Sequence, residues 1–333
     1  MKPFLYTLLF CLFANTSVAQ SIIGLPMAGH VTTNSVQILV IAKNATVLNG
    51  IVELDGDKVL KTFLPTSVDT ISVTKTISYY KMEINNLLPN SDYKFHFFFP
   101  SLTNIGEYLN IKTLPEEEIY NFDFMVGSCL APFKGVFSVL RPRLGIFNTM
   151  RKANPDFMVW MGDNVYFLSG EWDEYESMNK KMLDYRKEKH INRFLNNQPN
   201  YSTWDDHDYG PNDSDKSFWN KNLTLEAFKT FWSNPNYVLG ENKGITGTFI
   251  WNDVQFFLLD NRWFRTANRN TKFGERVQLG QEQLDWLINA LTYSRATFKF
   301  IVLGGQILNP SVQFEASSFF PEETKRLIRA ITD

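Results

Sequence analysis

The chain has 333 residues, of which 44% are hydrophobic and 15% aromatic, and a net charge of −2. That length and apolar content suffice for about two domains with sizeable cores. The near-neutral balance, with no basic stripe along any expected element, excludes the electrostatic footprint of a nucleic-acid binder, so an anionic substrate requires a metal or local arginines.

Residues 1–19 hold Lys2, an apolar run from Phe4 to Phe13, and the small-residue ending Ser17-Val18-Ala19. This is the layout of a secretory signal peptide cleaved before Gln20, and it predicts a secreted or periplasmic protein. The apolar run, about ten residues, is too short for a membrane anchor, and no later stretch is long and apolar enough to span a bilayer. Cys11 would leave with the peptide, so Cys129 is expected as a lone thiol and no disulfide forms within the mature chain.

From residue 22 to 114 the pattern is all-β. Short strands are expected at 36–41, 50–54, 71–77, 80–84, 93–99 and 108–113, separated by Gly, Asn, Asp and Pro turn signals. Tyr93, at the end of Leu88-Pro89-Asn90-Ser91-Asp92-Tyr93, resembles the tyrosine corner of fibronectin type III sandwiches, in which the hydroxyl bonds back to upstream backbone. Pro115 and the acidic run Glu116 to Glu118 then read as a solvated linker.

Beyond the linker, strands and helices alternate. The patterns predict a strand at 122–127, a helix near 144–153, a strand at 157–161, helical periodicity over 173–195 and a strand at 201–204. A helix near 222–233 follows, then a hairpin of 247–251 with 254–259 that turns at Asn252-Asp253. A helix over 279–293, a buried-type strand over 298–303, and a helix opened by Pro321 with Glu322 and Glu323 in its first turn complete a layered α/β pattern.

In such domains ligands gather beyond the carboxyl ends of the strands. Four strand ends carry chemistry: Gly127-Ser128-Cys129, Gly162-Asp163-Asn164-Val165-Tyr166, Trp204-Asp205-Asp206-His207-Asp208 running to Asn212-Asp213, and Leu259-Asp260-Asn261-Arg262. Taken singly each has a plain reading. Cys129 fits a small buried residue, and Asp163 fits a turn. The acidic loop is not a helix-loop-helix calcium loop, because counting from Asp205 puts Gly210 at the sixth position but Lys216 at the twelfth, where a bidentate Glu is required. Taken together, the carboxylates suit hard metal ions, Asp163 could bridge two of them, and metal-bound water becomes hydroxide near neutral pH. Cys129 and Tyr166 suit trivalent iron better than magnesium or calcium alone, and His207 could donate to a departing oxygen.

In this order the four motifs resemble the alkaline phosphatase D (PhoD-like) family of the metallophosphoesterase superfamily, over about residues 22–333. The resemblance implies a fibronectin III-like β-sandwich at 22–114 and a calcineurin-like α/β metallophosphoesterase domain at 120–333. It implies an iron(III) and calcium centre that hydrolyses small phosphodiesters and phosphomonoesters. Within that centre Cys129 and Tyr166 would hold iron and Asp163 would bridge iron and calcium. Asp206 would stand where the wider superfamily has a metal-binding Asn, His207 would contact the substrate phosphate, and Arg262 would contact phosphate or brace the loop. One feature departs from the family: no histidine follows His207, so the closing Gly-Asp-x-His motif is missing and the chain is expected to be a fragment lacking the last strand. The rival expectation is a degenerate, non-hydrolytic relative that acts as a binding or adhesion protein.

Overall fold

The computed structural model describes residues 19–45, 47–54, 67–69, 76–99, 108–116, 119–131, 144–268, 276–311 and 315–332. Nearly all of the stretch read as a signal peptide, residues 1–18, lies outside them, as does most of the strand expected at 71–77.

The first part of the chain forms two antiparallel sheets. Their strands are β1 (Ser21–Ile22), β2 (Met27–Val31), β3 (Val36–Lys43), β4 (Asn49–Leu54), β5 (Ser67–Asp69), β6 (Ile77–Ile84), β7 (Asp92–Phe98) and β8 (Tyr108–Lys112). One sheet runs β1-β3-β6-β5 with β2 also on β3, and the other runs β4-β7-β8. Alternate residues of β3 and β6 (Val36, Ile38, Val40, Tyr80, Met82) share a core with Val52, Phe95, Leu109 and Ile111 of the second sheet. Tyr93 Oη accepts a hydrogen bond from Leu88 N at 2.7 Å, the bond expected of the corner. Ile77 and Tyr80, expected on separate strands, lie on the single strand β6, whose eight residues pair without interruption with β3.

The opposite face of the first sheet is not solvated. Leu39, Ile41, Ile77 and Tyr79 join a second core with the helices that follow, and the Tyr79 ring meets Phe231 edge-on at 5.0 Å. Burial on both faces explains why β3 reads as a nearly continuous apolar run instead of an alternating one. It also clamps the two parts of the chain together.

Among the described residues the second part contains two three-stranded sheets. β9 (Phe124–Gly127), β10 (Phe157–Met161) and β11 (Asn200–Thr203) are parallel in the order β11-β10-β9. β12 (Gly247–Trp251) and β13 (Val254–Leu258) form the expected hairpin, and β14 (Phe298–Val302) pairs parallel to β13. Aromatic pairs fasten one sheet to the other strand by strand. Tyr201 stacks on Phe249 at 3.7 Å, Phe157 meets Phe256 at 5.3 Å, and Phe124 meets Phe300 at 5.3 Å. β14 departs from the buried-type strand expected of it: Phe298, Lys299 and Phe300 are exposed, and among the described residues β14 is the edge of its sheet.

The helices are α1 (Ile146–Ala153), α2 (Tyr175–Lys187), α3 (Lys189–Leu195), α4 (Asp206–Tyr209), α5 (Lys221–Phe231), α6 (Gln281–Tyr293) and α7 (Pro321–Thr332). The periodicity over 173–195 is thus two helices. Glu188 leaves helical backbone at ψ 123 and its carboxylate caps α3, accepting from His190 N at 2.8 Å and Ile191 N at 2.9 Å. No helix among the described residues is long and apolar enough to cross a membrane.

Candidate active site at the strand ends

Parallel pairing aims the carboxyl ends of β9, β10 and β11 at the same edge. The turn after β10 brings Gly162 and Asp163 into the left-handed region, at φ 90 and 51, and Cys129 after β9 does the same at φ 58. Such backbone in Cys and Asp is strained and persists only where neighbouring contacts hold it. Here the two turns lie side by side, with Cys129 N donating to Gly162 O at 3.2 Å and Leu130 N to Asp163 O at 2.8 Å. Gly162 and Gly304 let the third turn approach. A Cβ on Gly162 would sit 2.8 Å from Asp205 Cβ, and one on Gly304 2.6 Å from Trp204 O. The second sheet joins through Thr203, whose Oγ1 donates to Leu259 O at 2.7 Å.

Cys129, Asp163, Tyr166, Asp206 and His207 come together around Asp163. Tyr166 Oη donates to Asp163 Oδ2 at 2.9 Å, and Cys129 Sγ lies 3.7 Å from the same oxygen. His207 Nδ1 stands 3.5 Å from Asp163 Oδ1 and 3.2 Å from Asp206 Oδ2, and its ring packs on Tyr166 at 4.3 Å. Neither carboxylate is aligned to receive that ring nitrogen in a proper hydrogen bond, so Nδ1 is held by charge alone. Ligand atoms from Asp163, Asp206 and His207 all lie within 4.8 Å of one another.

Charge explains the titration of this group. Burial lowers the imidazole of His207, but Asp163 and Asp206 outweigh it and push its pKa up to about 10. Burial raises the Asp206 carboxyl, yet His207 and Arg262 reverse that and hold it well below the usual carboxylate range. Burial, reinforced by Asp163, drives the Tyr166 phenol far up and the Cys129 thiol up, although Cys129 keeps an exposed face. Without a cation, then, sulfur and phenol keep their protons and the imidazolium offsets only part of the carboxylate charge.

Arg262 closes a second cluster beside the first. It is fully buried, and all five of its N–H groups have acceptors. Nε donates to Asp205 Oδ1 at 2.6 Å and Nη2 bonds the same oxygen, while Nη1 and Nη2 each reach Glu315 at 2.7 Å and Nη1 also reaches Ser214 O. Nη2 is 3.5 Å from Asp206 Oδ1. Asp205, Asp206 and Glu315 could also group around a metal, but the guanidinium already stands among them. Burial raises Asp205 to about 6 even with Arg262 opposing it.

Other acids of the strand ends are pins. Asp208, 1% exposed, accepts from Asn164 N, Val165 N and Asp205 N at 2.9 to 3.1 Å, locking the second turn to the third. Asp260 accepts from Trp204 Nε1 at 2.7 Å and from three backbone N–H groups, those of Ile245, Arg262 and Trp263. Asn212 is exposed, whereas its neighbour Asp213 donates N–H to Asp206 Oδ2 at 2.9 Å. Two contributors escaped the sequence reading. Glu315 is a lone acid in an irregular segment, with no pattern that could have flagged it. Asn164 sits inside the Gly-Asp-Asn motif, and its buried Nδ2 bonds Ser202 and Thr203 while its Oδ1 has no partner.

A family model described as PhoD-like phosphatase matches residues 124–319, from β9 to the short 3-10 turn before α7. Among solved structures, one described as the structure of PhoD is similar over 93% of this chain and 68% of that one, at 18% identity and a TM-score of 0.72. At that identity the likeness shows the mixed α/β fold. No curated protein matches the chain.

Proposed function

The chain belongs to the PhoD-like phosphatase family, and we propose from that premise and from the strand-end geometry that it is an exported, metal-dependent phosphoesterase. The observation that carries the reading is the convergence of ligand atoms from Asp163, Asp206 and His207 within 4.8 Å, with a thiol and a phenol on the far oxygen of Asp163. The donor set fits metal. Two carboxylates, a buried imidazole nitrogen aligned with neither of them, and two neutral acids that a cation would deprotonate form a site with surplus negative capacity.

Cys129, Tyr166 and Asp163 would hold iron(III), and Asp163 with Asp206 would hold calcium. When bound, such ions supply Lewis-acid charge for the phosphoryl group and make water acidic enough to react near neutral pH. The chain's own residues do the remainder. His207, with its side chain one quarter exposed beside the cluster, contacts the substrate phosphate and can pass a proton to the departing oxygen. For Arg262 we propose bracing over phosphate contact, since no N–H of its fork is left for a ligand. We place a fibronectin III-like sandwich at 22–114 and a calcineurin-like domain at 120–333. The change from antiparallel pairing up to Lys112 to parallel pairing from Phe124 supports that division.

Metal analysis, with hydrolysis of bis-nitrophenyl phosphate and nitrophenyl phosphate, tests the proposal. Wild-type protein should carry metal and hydrolyse at least one ester, and Asp163→Ala should lose both. Metal-free protein whose activity survives Asp163→Ala would overturn the reading, and a folded wild type that binds metal without hydrolysing either ester would favour the non-hydrolytic relative.

A further inference from the structure

A cleft of about 630 Å³ lies at the other end of the β-sheets. The acidic site follows the last residue of β13, whereas the cleft is built on Asn252 and Asp253, which precede the first, and a five-residue strand separates the two by roughly 17 Å. Its walls come from four distant segments: the end of β2, the stretch after β8, the stretch after α5, and the β12–β13 hairpin. Hydrogen bonds hold these walls in place. His30 N donates to Ser233 O at 3.1 Å, Asn252 Nδ2 to Tyr120 O at 2.7 Å, and Thr248 N to Asn236 Oδ1 at 2.9 Å. The cleft is therefore preformed and within the usual size range of small-molecule pockets.

Its chemistry is one-sided. Glu116 and Asp253 line it, no Lys or Arg does, and neither carboxylate has an ion-pair partner among the described residues. His30 adds no positive charge at neutral pH, since burial lowers its pKa to about 4 and its Nδ1 lies 3.1 Å from Tyr201 Oη. The rest of the lining is mixed polar and apolar, and its apolar part comprises Leu114, Pro115 and Pro235 with Ile119 and Ile250, which are 79% and 55% exposed. Ile119 and Ile250 therefore offer apolar surface at the cleft that a ligand's hydrocarbon would cover.

We propose that this cleft binds an organic ammonium group carried on an apolar body of about dipeptide size, with Glu116 and Asp253 receiving the charge and Ile119 and Ile250 the body. Two sources share this chemistry: a free amine, and a basic side chain flanked by apolar residues in a peptide. A phosphate ester is the wrong charge for the cleft, so the site is separate from hydrolysis.

Calorimetric titration of the whole chain with phenylbutylamine, phenylbutanol, phenylbutyrate and acetyl-Leu-Lys-Leu-amide tests it. The amine should bind roughly fivefold more tightly than the alcohol, the scale of two partly exposed ion pairs, and the carboxylate should not bind. Glu116→Gln combined with Asp253→Asn should reduce the amine to the affinity of the alcohol without moving the thermal midpoint, and Ile250→Gln should weaken amine and alcohol alike. Tighter binding of the peptide assigns the source to a polypeptide, and tighter binding of the amine assigns it to a free amine. Equal affinity for amine and alcohol, an unchanged affinity in the double variant, or no binding by any probe at about millimolar concentration would overturn the proposal.

Discussion

Two clusters of carboxylates share Asp206 and differ in what neutralises them. On one side Asp205, Asp206 and Glu315 surround Arg262, whose five donors are all occupied. On the other side Asp163 and the second oxygen of Asp206 lie against His207, whose ring nitrogen is close to both and aligned with neither. Acid residues alone therefore do not mark a metal site. What marks a candidate metal site is negative charge that the protein's own cations leave unmatched, next to groups able to give up protons.

The comparison breaks most severely at Asp163, the residue on which thiol, phenol and imidazole converge. Asp163→Ala should lower ester hydrolysis on the order of 10³-fold, read as kcat/KM, while the far-ultraviolet circular dichroism is retained. Arg262→Ala should act on stability instead. Removing one partner of a buried ion pair strands Asp205 and Glu315, which costs about 3–5 kcal/mol in chemical unfolding. Arg262→Lys should recover only part of that loss, because an ammonium cannot reproduce the fork. A stable Arg262→Ala protein with its metal lost would reverse the assignment of the two clusters.

Asp208→Asn sharpens the distinction between pins and ligands. The amide presents one acceptor oxygen where the carboxylate presents two to Asn164, Val165 and Asp205, so unfolding should be easier by about 1–3 kcal/mol, with metal content unchanged. The smallest effect is the pH response of the metal-free chain. His207 rises from 6.5 to about 10 in the folded state, so its contribution to stability is complete below 6.5 and disappears as pH climbs through about 10. Nuclear magnetic resonance of the imidazole should show it protonated at pH 8 without metal and should show proton release on adding calcium. An imidazole that titrates near 6.5 in the metal-free chain would contradict the charge balance.

Much of this arrangement can be read before folding. Apolar runs that stop at Gly127, Gly162 and Trp204 place three strand ends together, because parallel pairing sends them to one edge, and Asn252-Asp253 between two β-prone runs specifies a hairpin. The unread parts depend on contacts distant in sequence. The bracing role proposed for Arg262 rests on its contact with Glu315, 53 residues away. Phe298 and Phe300 look buried by hydropathy but are exposed on β14, which has a neighbour on one side only among the described residues. Glu188 lies within an unbroken helical periodicity, and only its capping of α3 shows that the helix ends there.

The most direct test is metal stoichiometry by mass spectrometry for the wild type, Asp163→Ala and Glu315→Gln. Metal retained in the wild type and Glu315→Gln, and lost in Asp163→Ala, is the predicted result. Metal retained in Asp163→Ala and lost in Glu315→Gln would place the ion beside Arg262 and contradict the account.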